Sequence, residues 1–164
     1  MTAGDLVVSR RGLRFLGQYF PCTVGRSGIR RDKREGDGAT PAGIHRIAGC
    51  LYRPDRMSRP CEWAQPIRPG DLWSDEPKDA SYNSLVRHPH RYSHEKLRRP
   101  DPLYDLILLT DWNWPNAAPG KGSAIFIHSW RKPGHPTRGC IALRRDHLVW
   151  ITRRIAPATR LIVR

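Results

Sequence analysis

The chain contains no stretch of the ~18 consecutive apolar residues that a membrane-crossing helix requires, so no bilayer span is expected. Acid is the scarce charge: 15 Asp and Glu stand against 29 Lys and Arg, a net charge of +14. Such an excess leaves two kinds of partner, a polyanion such as nucleic acid or an anionic polymer surface such as a cell wall. The chain carries no RNA-recognition aromatic signature, basic coiled coil or zinc-finger spacing, so nucleic acid is not expected. Cysteine is sparse, and Cys22, Cys50, Cys61 and Cys140 do not follow a disulfide-framework spacing. The first three read as packed free thiols, with a Cys50–Cys61 bridge open to an oxidising compartment. Residues 1–12 lack the charged start, apolar core and small-residue cleavage site of a secretory signal. A removed leader, another export route and an internal location all stay open. Internal repeats and low-complexity tails are missing too.

What is present is punctuation. Fifteen Pro and fourteen Gly in 164 residues argue for many turns and few long helices, hence a mostly β (α+β) domain over 1–164. Asp5–Ser9 and Leu13–Leu16 read as a hairpin, Phe20–Val24 as a third strand and Gly43–Ile47 as a fourth. Residues 26–39 are polar and Gly-rich and read as a loop, either a solvated excursion or a border of a cleft. Residues 50–103, rich in proline, read as a long irregular insertion with at most one short helix near Ser93–Arg98. Its Trp63, Trp73, Tyr82, Asn83 and Tyr92 are candidates for one wall of a groove, against simple packing. Leu103–Thr110 has the apolar run of a central strand. The spacing of Leu148, Ile151 and Ile155 predicts a short helix with Asp146 as N-cap, and Leu161–Val163 closes the chain as a strand. His88, His90 and His94 have an interval seen among zinc ligands, but the basic residues around them would repel a dication, and no metal site is expected.

The most informative stretch is Ser123–Asp146. The apolar run Ala124–Ile127 reads as a buried strand that delivers His128 at its end, and Gly139-Cys140 opens a second run, Ile141–Leu143. One imidazole and one thiol therefore stand at the edges of two apolar runs, separated by a loop that can fold back on itself. A thiol of pKa about 8.5 is only a few per cent thiolate at neutral pH, so a nucleophilic cysteine needs a base beside it. His128, the arginines at 131, 138 and 144 and nearby backbone N–H groups would all favour the anion. The alternative is an inert buried cysteine in a basic wall- or nucleic-acid-binding module.

Two distant motifs then resemble one family. His128-Ser129 followed by Thr137-Arg138-Gly139-Cys140-Ile141, together with Thr40-Pro41-Ala42-Gly43 upstream, is similar to the signature of the L,D-transpeptidase (YkuD-like) catalytic domain. The longer phrase Lys33–Gly43, with Tyr82-Asn83, Leu103-Tyr104-Asp105 and Gly122–Phe126, resembles one branch of it. The chain departs from the commonest pattern in having Arg138 before the Gly and Ala142 two places after the Cys. The resemblance implies a mixed-sheet sandwich or barrel with a few short helices. It implies a cysteine acyltransferase that cross-links peptidoglycan stem peptides, donor and acceptor, through a thioester on Cys140. In that reading His128, Ser129 and Gly139 complete the catalytic group, while Arg138, Thr137, Arg144, Tyr82, Asn83 and Trp130 hold substrate. It further implies no cofactor, a monomer, a place in the periplasm or cell envelope, and acylation by carbapenem β-lactams. The same Cys–His pair would equally serve an L,D-endopeptidase, carboxypeptidase or amidase.

Overall fold

The computed structural model describes residues 2–164. Fifteen strands form in chain order: β1 (Leu6–Ser9), β2 (Gly12–Phe15), β3 (Gln18–Phe20), β4 (Cys22–Thr23), β5 (Ile29–Arg30), β6 (Thr40–Pro41), β7 (Gly43–Tyr52), β8 (Gln65–Pro66), β9 (Asp71–Ser74), β10 (Leu85–Arg87), β11 (His94–Lys96), β12 (Leu106–Thr110), β13 (Phe126–Ser129), β14 (Ile141–Leu143) and β15 (Arg160–Val163). One helix, α1 (Arg145–Thr152), and a 3₁₀ turn at Pro102–Tyr104 complete the fold, which is mostly β as expected.

The main sheet runs β3-β2-β1-β15-β7-β12-β13-β14-β4. Most neighbours are antiparallel, but β1 pairs parallel with β15, and β13 parallel with β14. The sheet is nearly closed, because its two edge strands are consecutive in sequence. The expected strand Phe20–Val24 is broken at Pro21, which has no N–H to give a ladder, and the chain passes there from one edge, β3, to the other, β4. Inside the curl lie Leu6, Val8, Leu13, Ile47, Leu106, Leu108, Ile127, Ile141 and Leu143, closed over by Leu148 and Ile151 of α1. At about 25 cal/mol per Å² of apolar surface removed from water, this cluster is the main stabilising mass.

Several expected boundaries move. The fourth strand runs on to Tyr52, because Cys50 and Leu51 pair with Leu108 and Ile107 of β12. The stretch near Ser93–Arg98 is not helical: His94–Lys96 pairs with β9, and together with β10 they make a three-stranded sheet within the insertion. Burial of Leu97 and pairing of His94–Lys96 to Leu72–Ser74 override the weak helical preference of that segment. Leu103 and Tyr104 belong to the 3₁₀ turn, whose start is capped by the Asp101 carboxylate accepting from the Leu103 N–H at 3.1 Å. Arg144, not Asp146, occupies the N-cap of α1. Asp146 lies in the first turn, where a carboxylate favours the helix dipole.

The insertion's small sheet packs on a second apolar cluster, with Trp73 edge-on to Phe126 at 5.1 Å and Leu51, Ile67, Leu97, Tyr104 and Ile107 around them. Here β13 acts as a partition. Ile127 faces the main core, while Phe126 and His128, on the opposite face, look toward the insertion.

Candidate functional site

The parallel ladder of β13 and β14 aligns Ile127 with Ile141 and His128 with Ala142. Side chains opposite one another in a ladder share a face, so Cys140, two positions before Ala142, stands on the same face as His128. His128 lies inside β13 and not at its end, and Cys140 sits just ahead of β14. Both line a cavity of about 800 Å³. Trp130, Thr137, Arg138 and Gly139 line it as well, as do Arg26, Lys33 and Glu35 from the 26–39 loop. That loop therefore borders the cleft.

The sulfur has two polar neighbours. Its S–H donates to the Ala124 carbonyl at 3.1 Å, and the Phe126 N–H donates to it at 3.4 Å. The thiol is not acidified, contrary to expectation. Cys140 is half-buried, yet protein surrounds its sulfur, and desolvation pushes its pKa up to about 12. The Phe126 N–H and the Lys33 charge pull the other way and are outweighed, while Glu95 adds to the rise. Lys33 itself is buried and spoken for, donating to Asp37 at 2.7 Å.

His128 is buried, and its Nδ1 lies 2.7 Å from the Ser129 carbonyl. A carbonyl only accepts, so Nδ1 carries the hydrogen and Nε2 keeps its lone pair. Burial lowers the imidazole pKa to about 4 against the opposing Ser129 hydrogen bond. The ring is neutral at pH 7 and of the tautomer that a base acting through Nε2 requires. Tyr104 meets it edge-on at 5.2 Å. Ser129 meets the imidazole through its backbone carbonyl, while its buried hydroxyl has no hydrogen-bond partner among the described residues.

The Gly139 turn is held from three sides. Thr137 Oγ1 donates to the Cys140 carbonyl at 2.6 Å and accepts the Gly139 N–H at 3.0 Å. Thr40 Oγ1 donates to the Gly139 carbonyl at 2.8 Å, which joins the two sequence motifs physically. Gly139 has φ +147°, and a Cβ there would lie 2.9 Å from the Ala39 carbonyl oxygen. Only glycine fits. The Gly139 N–H is thus engaged, whereas those of Arg138 and Cys140 find no acceptor among the described residues.

Three of the residues expected to hold substrate are placed elsewhere. Arg144 is exposed, outside the cavity, and bound two-pronged to Asp146 at 2.6 and 2.5 Å. Tyr82 is buried, its hydroxyl donating to Glu35 and accepting the Gly122 N–H at 3.1 Å. Asn83 is buried at a crossing point. Its Oδ1 accepts from Trp73 Nε1 at 3.0 Å and from the Ala124 N–H at 2.9 Å, and its Nδ2 donates to the carbonyls of Trp112 and Asn113 at 3.1 and 2.7 Å. With φ +57° it occupies the left-handed region that asparagine tolerates best after glycine. Asn83 thereby fixes Ala124, whose carbonyl receives the Cys140 thiol.

Nor do the insertion's aromatics wall the cavity. Trp63 packs on the main core, Trp73 lies beneath Phe126, and Tyr92 is covered by the Arg91 guanidinium at 4.7 Å. The wall is charged instead, made by Asp75, Glu95 and Arg99 beside Leu103. Glu95 was hidden in sequence by the helical reading of its segment. Burial raises its pKa first, then the neighbouring Asp75. Asp75 Oδ1 is buried with no partner among the described residues. The histidine cluster is used internally: His90 Nε2 lies 2.9 Å from Asp79 Oδ2, and His94 Nδ1 lies 2.7 Å from the Tyr92 carbonyl. Cys50 and Cys61 are free thiols.

The family model for the L,D-transpeptidase catalytic domain (YkuD) matches residues 6–163. Among solved structures, an L,D-transpeptidase from Mycobacterium smegmatis aligns at 12% identity and TM-score 0.43, over 93% of this chain and 52% of that one, so this chain spans about half its length. No curated protein matches significantly. A match over nearly every residue, together with motifs that the fold brings into contact, places the chain in the L,D-transpeptidase catalytic domain (YkuD) family.

Proposed function

We propose that the protein is a cysteine acyltransferase that joins peptidoglycan stem peptides through a thioester on Cys140, working in the cell envelope. One observation carries this reading: His128 on β13 and Cys140, just ahead of the parallel strand β14, lie on one face and line one cavity. Family membership supports peptidoglycan as the material acted upon.

In the first half-reaction the Cys140 thiol leaves the Ala124 carbonyl, gives its proton to His128 Nε2 and attacks the donor's carbonyl carbon. The C–N bond breaks, and the departing amine takes the proton from His128. In the second half-reaction the acceptor amine attacks the thioester, its proton passes to His128, and the sulfur recovers a proton as it departs. Burial disfavours both the free thiolate and the imidazolium, so the proton transfer would be concerted with attack. The N–H groups of Arg138 and Cys140 would face the developing oxyanion, each such donor being worth ~10²–10³ in rate. Arg138 and Arg131 would meet substrate carboxylates, while Glu95 and Asp75 would meet an ammonium group.

Incubation with purified muropeptides, read by mass spectrometry, tests the proposal. Cross-linked dimers that vanish with Cys140→Ala are the expected result. Shortened monomers would assign hydrolysis to the same pair, and no product from either substrate form would overturn the enzyme reading. A carbapenem is expected to add its mass to the wild type and not to the alanine variant.

A further inference from the structure

Two shallower depressions lie beside the Cys140 cavity. The first, of about 490 Å³, shares Arg26 and Pro136 with the cavity and is floored by Val24, Gly25 and Gly28. The second, of about 830 Å³, shares Arg10 with the first and adds Arg11, Arg31 and Arg164 around Ile44. Shared lining residues make the three concavities successive neighbours, a track along the surface away from the sulfur. Arg10 sits at the junction, its guanidinium against Gly28, where a Cβ would come within 3.2 Å of the guanidinium nitrogen.

The chemistry of the track is one-sided. No Asp or Glu side chain among the described residues lines either depression. Among the described residues none of Arg10, Arg11, Arg26 and Arg31 pairs with a carboxylate, whereas arginines of the insertion such as Arg53, Arg56 and Arg99 are neutralised by aspartates. The four guanidinium groups are exposed, and Ile44 beside them is 66% exposed, an unusual degree for a large apolar residue in a ten-residue strand. Forked donors with a small apolar surface suit a ligand bearing several carboxylates on a partly apolar backbone. Among the described residues no aromatic side chain lines the depressions, which therefore offer none of the stacking platforms on which single-stranded nucleic acid depends.

We infer that this track binds a remote, carboxylate-bearing portion of a polymeric peptidoglycan strand while another part of it occupies the Cys140 cavity. The inference rests on the proposed substrate, and it assigns to Arg10, Arg11 and Arg31 the recognition of polymer over isolated stem peptide. Charge pairs at an exposed surface are screened within about 8–10 Å at physiological salt, so the contribution depends on ionic strength.

Co-sedimentation of the Cys140→Ala protein with purified peptidoglycan sacculi reads this binding independently of any turnover. Wild-type arginines are expected to give saturable binding that weakens as NaCl rises. The pair Arg11→Glu/Arg31→Glu is expected to weaken it by about tenfold or more, and Arg11→Ala/Arg31→Ala by a smaller factor, with unchanged thermal midpoints. In the Cys140-intact background the same pairs are expected to leave turnover of a monomeric muropeptide unchanged. Undiminished sacculus binding by both pairs would overturn the inference, as would equal affinity for a single-stranded oligonucleotide. Absence of acyl transfer would overturn the proposed reaction and leave the binding result readable.

Discussion

His128 is the residue on which pH acts most directly. An ordinary histidine titrates near 6.5, but burial holds this one to about 4, so the unfolded chain takes up a proton that the folded chain refuses. Stability from this source is full above pH 6.5 and is lost as pH falls toward 4, by up to about 3 kcal/mol. The urea midpoint of wild type should fall across that window, and His128→Gln should flatten this part of the curve. Gly139→Ala forces a Cβ onto the Ala39 carbonyl in a backbone region closed to L side chains; it should cost about 1–3 kcal/mol and abolish transfer. Ser129→Ala should leave turnover nearly intact, because the tautomer is set by a carbonyl that the variant retains. The sequence alone made His128, Cys140 and Gly139 visible, each by residue type within a short motif. It could not show that burial would reverse the expected effect of nearby charges on the sulfur, since desolvation depends on what packs around a group.

At the scale of elements, the sequence announced strands wherever apolar runs met turn residues, and the hairpin β1–β2, the helix α1 and the closing strand β15 followed. The insertion was unreadable because its strands are two to four residues long and owe their form to pairing, β10 and β11 with β9 and β8 with β7. Its contribution to the site was misjudged for the same reason: Trp73 fills the second core, Trp63 packs on the main one and Tyr92 lies under Arg91, leaving Asp75, Glu95 and Arg99 to face the cavity. Asn83 links that small sheet to Ala124 and so to the thiol. Asn83→Ala removes four hydrogen bonds at once, one buried and three part-buried, and should cost about 2–4 kcal/mol by urea denaturation. Its transfer rate should fall even under conditions where the variant stays folded. Arg144→Ala, by contrast, breaks an exposed pair outside the cavity and should leave turnover unchanged.

For the molecule as a whole, a net charge of +14 on 164 residues means mutual repulsion in the compact state. Raising NaCl from about 0.01 to 0.3 M should lift the thermal midpoint by a few degrees as the Debye length shrinks severalfold. The same salt should loosen any hold on an anionic wall, so folding and attachment are expected to respond to salt in opposite directions. The pairing of β13 with β14 has a consequence of its own. Backbone ladder bonds align residue 128 with residue 142, the Thr40 and Thr137 hydroxyls hold the turn at 139–140 just ahead of the ladder, and the tip of the eleven-residue connection 130–140 does no measuring. Lengthening or rewriting that connection around Lys132–Gly134 should alter which molecules are admitted without displacing the reacting pair. The fold thus separates the proposed chemistry, set by paired strands and the anchored turn at Gly139, from the expected choice of guest, left to the loop tip at 132–134.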